Sequence, residues 1–340
     1  MERTSFKKNV FILYILIPVS LIFCISVGSV NIPYNQILLT FGKNLLNLNI
    51  KEIEFENILW YIRIPRVILA FIIGGGLGIT GAAIQSLFQN PMADAGILGI
   101  SSGASLGAII AVALGLTSIS LILMPILSIL LAFIIGSLVY KLGSYKGKAS
   151  ILGLILSGIA IKTLVGSFNS FILTNISENQ VREYLFWSLG SLNGRRWDHV
   201  NLIGIPVLLL SFLLFKKYKE LNICLLGEEE SLALGIDIKT FRKKILFICS
   251  SITALVVCVS GNIGFIGLVI PHMLRIILKG SDNKKILPLS FIGGGIFLQL
   301  SDLIARVALS PKEISVGIIT SFLGAPYFIY LLIKYRRENL

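Results

Sequence analysis

The chain has 340 residues, 55% of them hydrophobic and only 14% charged, with a formal net charge of +13. Soluble domains usually carry about 25% charged residues, whereas the apolar residues here come in long blocks with a mean hydropathy of +0.88. This excludes intrinsic disorder, a collagen-like fibre, a disulfide scaffold and an ordinary soluble enzyme, since so few charges cannot cover a water-facing surface. The chain belongs in a bilayer.

A hydrocarbon core about 30 Å thick needs about 20 mainly apolar residues per helix. Lipid cannot satisfy open backbone groups, so the spans are helices, and the blocks lack the alternation of a barrel strand. In chain order they predict ten spans, at 10–30, 67–87, 97–114, 119–140, 149–171, 200–215, 245–260, 265–278, 286–304 and 316–333. The first follows Lys7 and Lys8, but its apolar run exceeds a signal peptide's and no A-x-A site follows, so it reads as a retained helix. The amphipathic stretch 31–62 suggests a short surface helix, and 216–244 is the most charged segment. Pro18, Pro125, Pro206 and Pro326 are expected to kink their helices. The whole, 1–340, reads as one integral-membrane domain with short termini at 1–9 and 334–340.

Basic residues cluster between the apolar blocks without interleaved aromatics, so they argue for membrane orientation and against nucleic acid. With an even number of spans both termini share one side. Placing them in the cytoplasm puts about two basic residues inside for each one outside, as the positive-inside rule requires. The predicted location is the cytoplasmic (inner) membrane, with 216–244 inside. The four cysteines, Cys24, Cys224, Cys249 and Cys258, form no C-x-x-C pair and read as small buried hydrophobes.

A search for catalytic chemistry fails. The glycine-containing run at 143–149 is one residue short of a Walker A spacing, and Ala149 stands where a Mg²⁺-binding hydroxyl is needed. His199 and His272 sit in no metal-ligand pattern, so no cofactor or metal is expected on this chain. At membrane depth the ionisable candidates are Lys162, Asp94 and Asp302, too few carboxylates for the buried ion path of a coupled carrier. Energy for transport must then come from elsewhere. Small residues crowd the second, third and ninth spans (Gly74, Gly75, Gly76, Gly78, Gly81; Gly99, Gly103, Gly107; Gly293, Gly294, Gly295), which suits close helix packing in lipid.

Several motifs are more specific. Arg63-Ile64-Pro65-Arg66 opens the second span, and Gln89-Asn90-Pro91-Met92-Ala93-Asp94 follows it. Leu98-Gly99-Ile100-Ser101-Ser102-Gly103-Ala104 begins the third. Later come Gly261-Asn262-Ile263-Gly264-Phe265-Ile266-Gly267, then Asp302-Leu303-Ile304-Ala305-Arg306, and Gly324-Ala325-Pro326. In this order and spacing the pattern resembles the FecCD-type permeases of iron-siderophore, haem and vitamin B12 ABC importers. The resemblance implies an all-α polytopic bundle of the type II importer kind, with no catalytic residue of its own. It implies a second permease chain (identical or paralogous), two cytoplasmic ATPase subunits that use ATP and Mg²⁺, and an extracytoplasmic substrate-binding protein. By the same resemblance, Arg63, Arg66 and Arg306 would grip acidic residues of the binding protein. Glu228, Glu229, Glu230, Ser231, Leu232, Leu234, Gly235 and Ile236 would form the coupling helix that docks on the ATPase, with Leu232, Leu234 and Ile236 as its apolar anchors. Tyr140, Lys141, Gly143 and Ser144 would lie at the inner gate. The expected cargo is an iron(III)-siderophore-type chelate, with haem or cobalamin as the near alternative and an ion-coupled secondary carrier as the alternative of another class.

Overall fold

The structure, a computed structural model, describes residues 16–28, 32–46, 54–94, 96, 99–120, 122–145, 148–149 and 151–338. The N-terminal segment 1–9, the start of the first predicted span and the last two residues lie outside this set. The described residues form helices α1 (Leu16–Ser26), α2 (Tyr34–Leu46), α3 (Ile58–Leu87), α4 (Ile100–Ala113), α5 (Leu116–Ile119), α6 (Leu123–Leu142) and α7 (Ile151–Leu173). They continue with α8 (Glu178–Ser188), α9 (Trp197–Lys216), α10 (Tyr218–Cys224), α11 (Glu228–Ala233), α12 (Ile238–Ser260), α13 (Ile266–Leu278), α14 (Asn283–Val307) and α15 (Val316–Glu338). Between α6 and α7 lies one antiparallel pair, β1 (Ser144–Tyr145) and β2 (Lys148–Ala149).

Six of these helices are long and apolar enough to cross a membrane, and four shorter apolar ones join them among the described residues. Together they match the ten blocks read from the sequence. The 31–62 stretch contains the expected short helix, α2. Two boundaries differ. Helix α3 starts at Ile58 with a π-helical turn through Arg63, so both arginines of the R-I-P-R motif sit on the helix itself. Helix α12 starts at Ile238, N-capped by Asp237, which accepts from the backbone of Lys239 and Thr240. Hydrogen bonds from Thr240 hold the Asp237 carboxyl below its ordinary range, and Lys243 and Lys244 therefore ride on a helix and not in a loop.

The centre of the bundle is the α3–α14 pair. A methyl group built on Gly74 would overlap the Gly294 carbonyl, and one on Gly78 the Ser290 carbonyl. Here the backbones touch because nothing projects between them, which is how tight packing replaces a hydrophobic drive in lipid. Helices α4 and α6 repeat the device, with Gly103 and Gly107 against the α6 backbone at Leu127–Ala132. Gln299 pins three helices at once, accepting from Ser20 Oγ (2.9 Å) and donating to the Val67 carbonyl (3.2 Å). All four cysteines are free and buried. Gly78→Val will lower stability by about 2 kcal/mol or more, because the obstacle is backbone that cannot swing aside. Thermal unfolding in detergent checks this, and an unchanged melting temperature would mean that α3 and α14 are not held at this contact.

Candidate functional site

Two ends of the bundle concentrate polar chemistry. The end that holds Arg66 is called upper below, and the end that holds α11 lower.

At the upper end, residues far apart in the chain converge on one carboxylate. Arg66 donates from Nε and Nη2 to Asp302 (2.9–3.1 Å) and from Nη1 to Glu313 (3.0 and 3.2 Å). Arg306, one turn beyond Asp302 on α14, places Nε 3.1 Å from its Oδ2 and donates to the carbonyls of Cys24 and Val27. Arg63 donates to the carbonyls of Ile25 and Ser26, at the C-terminal end of α1. The three arginines are only 6–7% exposed, and Asp302 is 1% exposed. The structure thus brings together the three residues the motif singled out, and adds Asp302 and Glu313. Their guanidinium groups turn inside the chain, where they lock the end of α1 to α3 and α14. Gly28 lies against Arg63 and Arg306, with no room there for a side chain. Glu313 is the accessible member, its side chain 32% exposed.

At the lower end, α11 is a single six-residue helix bounded by two glycines with positive φ, Gly227 (130°) and Gly235 (83°). Its three consecutive glutamates occupy the first turn, where the helix N-terminus favours negative charge. Ser231 is fully buried, and its hydroxyl lies 2.5 Å from the Gly227 carbonyl and 3.2 Å from that of Ile223. Glu228 pairs with Arg242 of α12. Leu232 and Leu234 are about 60% exposed, and Leu226 joins them. Ile236 instead packs against this chain's own core. Leu226 carries a signal in retrospect, as an apolar residue placed just before a run of acids.

The α10–α11 segment is tied to the centre of the bundle. Asn222 donates to Asp282 and accepts from the backbone of Asn283, at the start of α14 (2.8 and 2.7 Å). Gln89, just past α3, donates to the Cys224 carbonyl (2.6 Å). These bonds link α10 to the lower ends of both α3 and α14. Nearby, Arg275 of α13 reaches Gln85, Ser86 and the Ala82 carbonyl on α3, and Ser86 donates to Asn283 (2.7 Å).

The predicted gate residues lie at the lower end of α6. Tyr140 packs on the core, and Lys141 is exposed. Gly143 sits against the Leu154 backbone, and Ser144 donates to the Tyr140 carbonyl (2.6 Å) before entering β1. This tight strand pair stands where the glycine-containing run resembled a phosphate loop.

One feature was not singled out in the sequence. Helix α7 buries a narrow strip, Leu154, Gly158, Ile161, Val165 and Asn169, and leaves most of its other residues exposed. Lys162, Thr163, Gly166, Ser167 and Ser170 are all exposed, and no atom stands near where a Gly166 side chain would be. The spacing of Thr163, Gly166, Ser167 and Ser170 sets them along one side of the helix. Lys162, one of the ionisable candidates at membrane depth, is exposed and belongs to this polar stripe.

The comparisons with known proteins agree with this architecture. The model of the FecCD transport family matches residues 15–334. An uncharacterised ABC transporter permease, YvrB of Bacillus subtilis (strain 168), is 37% identical over 98% of this chain and 97% of its own length. The cobalamin import system permease BtuC of Halobacterium salinarum is 39% identical over 80% of this chain and 72% of its own. Among solved structures, an inward-facing ABC transporter described as of metal-chelate type superimposes with a TM-score of 0.83 at 30% identity, covering 96% of this chain and 99% of that one. The ten apolar helices, the glycine-packed α3–α14 centre and the match along almost the entire chain lead to one conclusion: this is a multi-pass membrane permease chain of the FecCD transport family.

Proposed function

We propose that the chain forms half the wall of a transmembrane pathway through which an ABC importer moves an iron(III)-siderophore-type chelate into the cell. The observation that carries this reading is the uncovered polar stripe of α7. A lysine and three hydroxyl residues at membrane depth are costly against lipid and belong against a water-filled path or another protein. A second permease chain, identical or paralogous, would close that path. The upper end faces outward and the lower end, with both termini, faces the cytoplasm. Two ATPase subunits would dock on α11 and its exposed leucines, and their closure on ATP would shift α10 and α11 and with them the lower ends of α3 and α14. The chain itself hydrolyses nothing. A metal-chelate-type neighbour supports the chelate cargo, while the cobalamin permease among the relatives favours a corrinoid as the second reading.

The pathway is tested by Ser167→Cys. The native thiols are buried, and burial pushes the Cys224 thiol up to about 11, so labelling background will be low. Cys at 167 will react with a membrane-impermeant maleimide in proteoliposomes, whereas Cys in place of the exposed Leu130 of α6 will not. Equal labelling at both sites, or at neither, would remove the water-filled path.

The docking role carried by the arginine motif has a physical form in this geometry. Glu313 occupies Arg66 Nη1 from a half-exposed position, where an incoming carboxylate of a binding protein would replace it. Arg suits such an exchange because its planar fork binds carboxylate bidentately. Glu313→Gln removes the competitor, so the binding protein will dock several-fold more tightly on the permease in nanodiscs, as measured by surface plasmon resonance. Weaker docking would show that Glu313 is not a stand-in for the partner's acid.

A further inference from the structure

At the upper end, away from the Arg66 cluster, a cavity of about 480 Å³ opens between α6, α8, α9 and α12. Its polar lining includes two buried donors without acceptors. Trp187, 6% exposed, has an indole Nε1–H with no hydrogen-bond partner among the described residues, and the buried Nε–H of Arg195 has none either. The His199 ring lines the cavity beside them. Its Nδ1 lies 3.3 Å from the Arg196 backbone nitrogen. Its Nε2 lies 3.5 Å from Arg195 Nη1, a contact in which the tautomer decides which group donates. Buried donors are costly to leave unpaired, and two of them on one cavity, beside an imidazole, describe the complement of an acceptor. Burial lowers the Arg195 pKa from its ordinary value, the mark of a cation short of counter-charge. Glu183 lines the same cavity but is exposed and joins Arg195 in none of the ion pairs among the described residues.

We propose that this cavity is a binding site for a small organic oxyanion of the carboxylate class, held by Arg195, Trp187 and His199. Its volume falls within the range of small-molecule sites, about 300–1,000 Å³, and exceeds what inorganic phosphate fills. Arg195 supplies charge and a second donor on the same fork, and Trp187 and His199 bind the remaining acceptor lone pairs. Glu183 at the rim competes for Arg195 and weakens the site. The site does not depend on the transport reading, since it is tested as direct binding.

The chain has three tryptophans. Converting Trp60 and Trp197 to Phe in the full-length permease leaves Trp187 as the sole emitter, inside the site. Titration with succinate in detergent will change its emission saturably. Arg195→Gln in this background will raise the apparent Kd at least tenfold, and Glu183→Gln will lower it. Calorimetry with succinate on the unmodified chain gives the same answer without any variant. No saturable signal by either method, an identical curve for Arg195→Gln in a chain that melts normally, or phosphate binding as tightly as succinate would each overturn the proposal.

Discussion

Asp302→Ala will destabilise the permease by about 3–5 kcal/mol, the cost of removing one partner from a buried ion pair and leaving the other charge behind. Asp302 is bracketed by Arg66 and Arg306, and all three are nearly sealed from solvent. After the substitution Arg66 retains Glu313, but Arg306 keeps only backbone carbonyls. The pair Arg66–Glu313 makes the control. Glu313 is half-buried, and pairs of that kind contribute about 0–1 kcal/mol, so Glu313→Gln will leave the melting temperature nearly unchanged while altering docking. Differential scanning fluorimetry of both variants checks the ordering. Equal, small losses would show that Asp302 is solvated and that the cluster does not clamp α1, α3 and α14.

Leu232→Glu combined with Leu234→Glu will weaken association with the ATPase subunit by on the order of 100-fold, with no loss of permease stability. The asymmetry follows from where the side chains stand. Both leucines are about 60% exposed, so the fold does not use them, whereas a partner groove would desolvate both, and contributing interface residues each cost about 1–1.5 kcal/mol when lost. Ile236→Ala is the informative opposite. Because Ile236 packs on this chain's core, its truncation will lower the melting temperature and leave ATPase affinity far less changed. Co-purification and microscale thermophoresis with the ATPase measure the first effect, and retention of full affinity by the double variant would remove α11 as the docking element.

The contrast between these neighbours shows how far a linear reading reaches. Membrane residence, the ten apolar blocks and the all-helical fold were legible in the sequence, because each depends on composition within about 20 residues and on backbone groups that lipid leaves unsatisfied. The glycine clusters were legible too, as sites where helices approach closely. What a side chain meets across the bundle was not. Arg66 and Asp302 are 236 positions apart, and no local pattern indicates that a motif arginine turns inward to a carboxylate. Ile236 and Leu234 are equally apolar and two residues apart, yet one faces the core and the other solvent, because the turn at Gly235 separates them. The stripe on α7 became visible only when its neighbours proved to leave it uncovered, and Arg195, unassigned in the sequence, gained a role only beside Trp187 and His199. Local hydrophobicity determined what this chain is made of and where it resides. The pairing of distant helices decided which charges are buried, which leucines stay exposed and where its cavities open, since those depend on contacts that close only when the whole bundle packs.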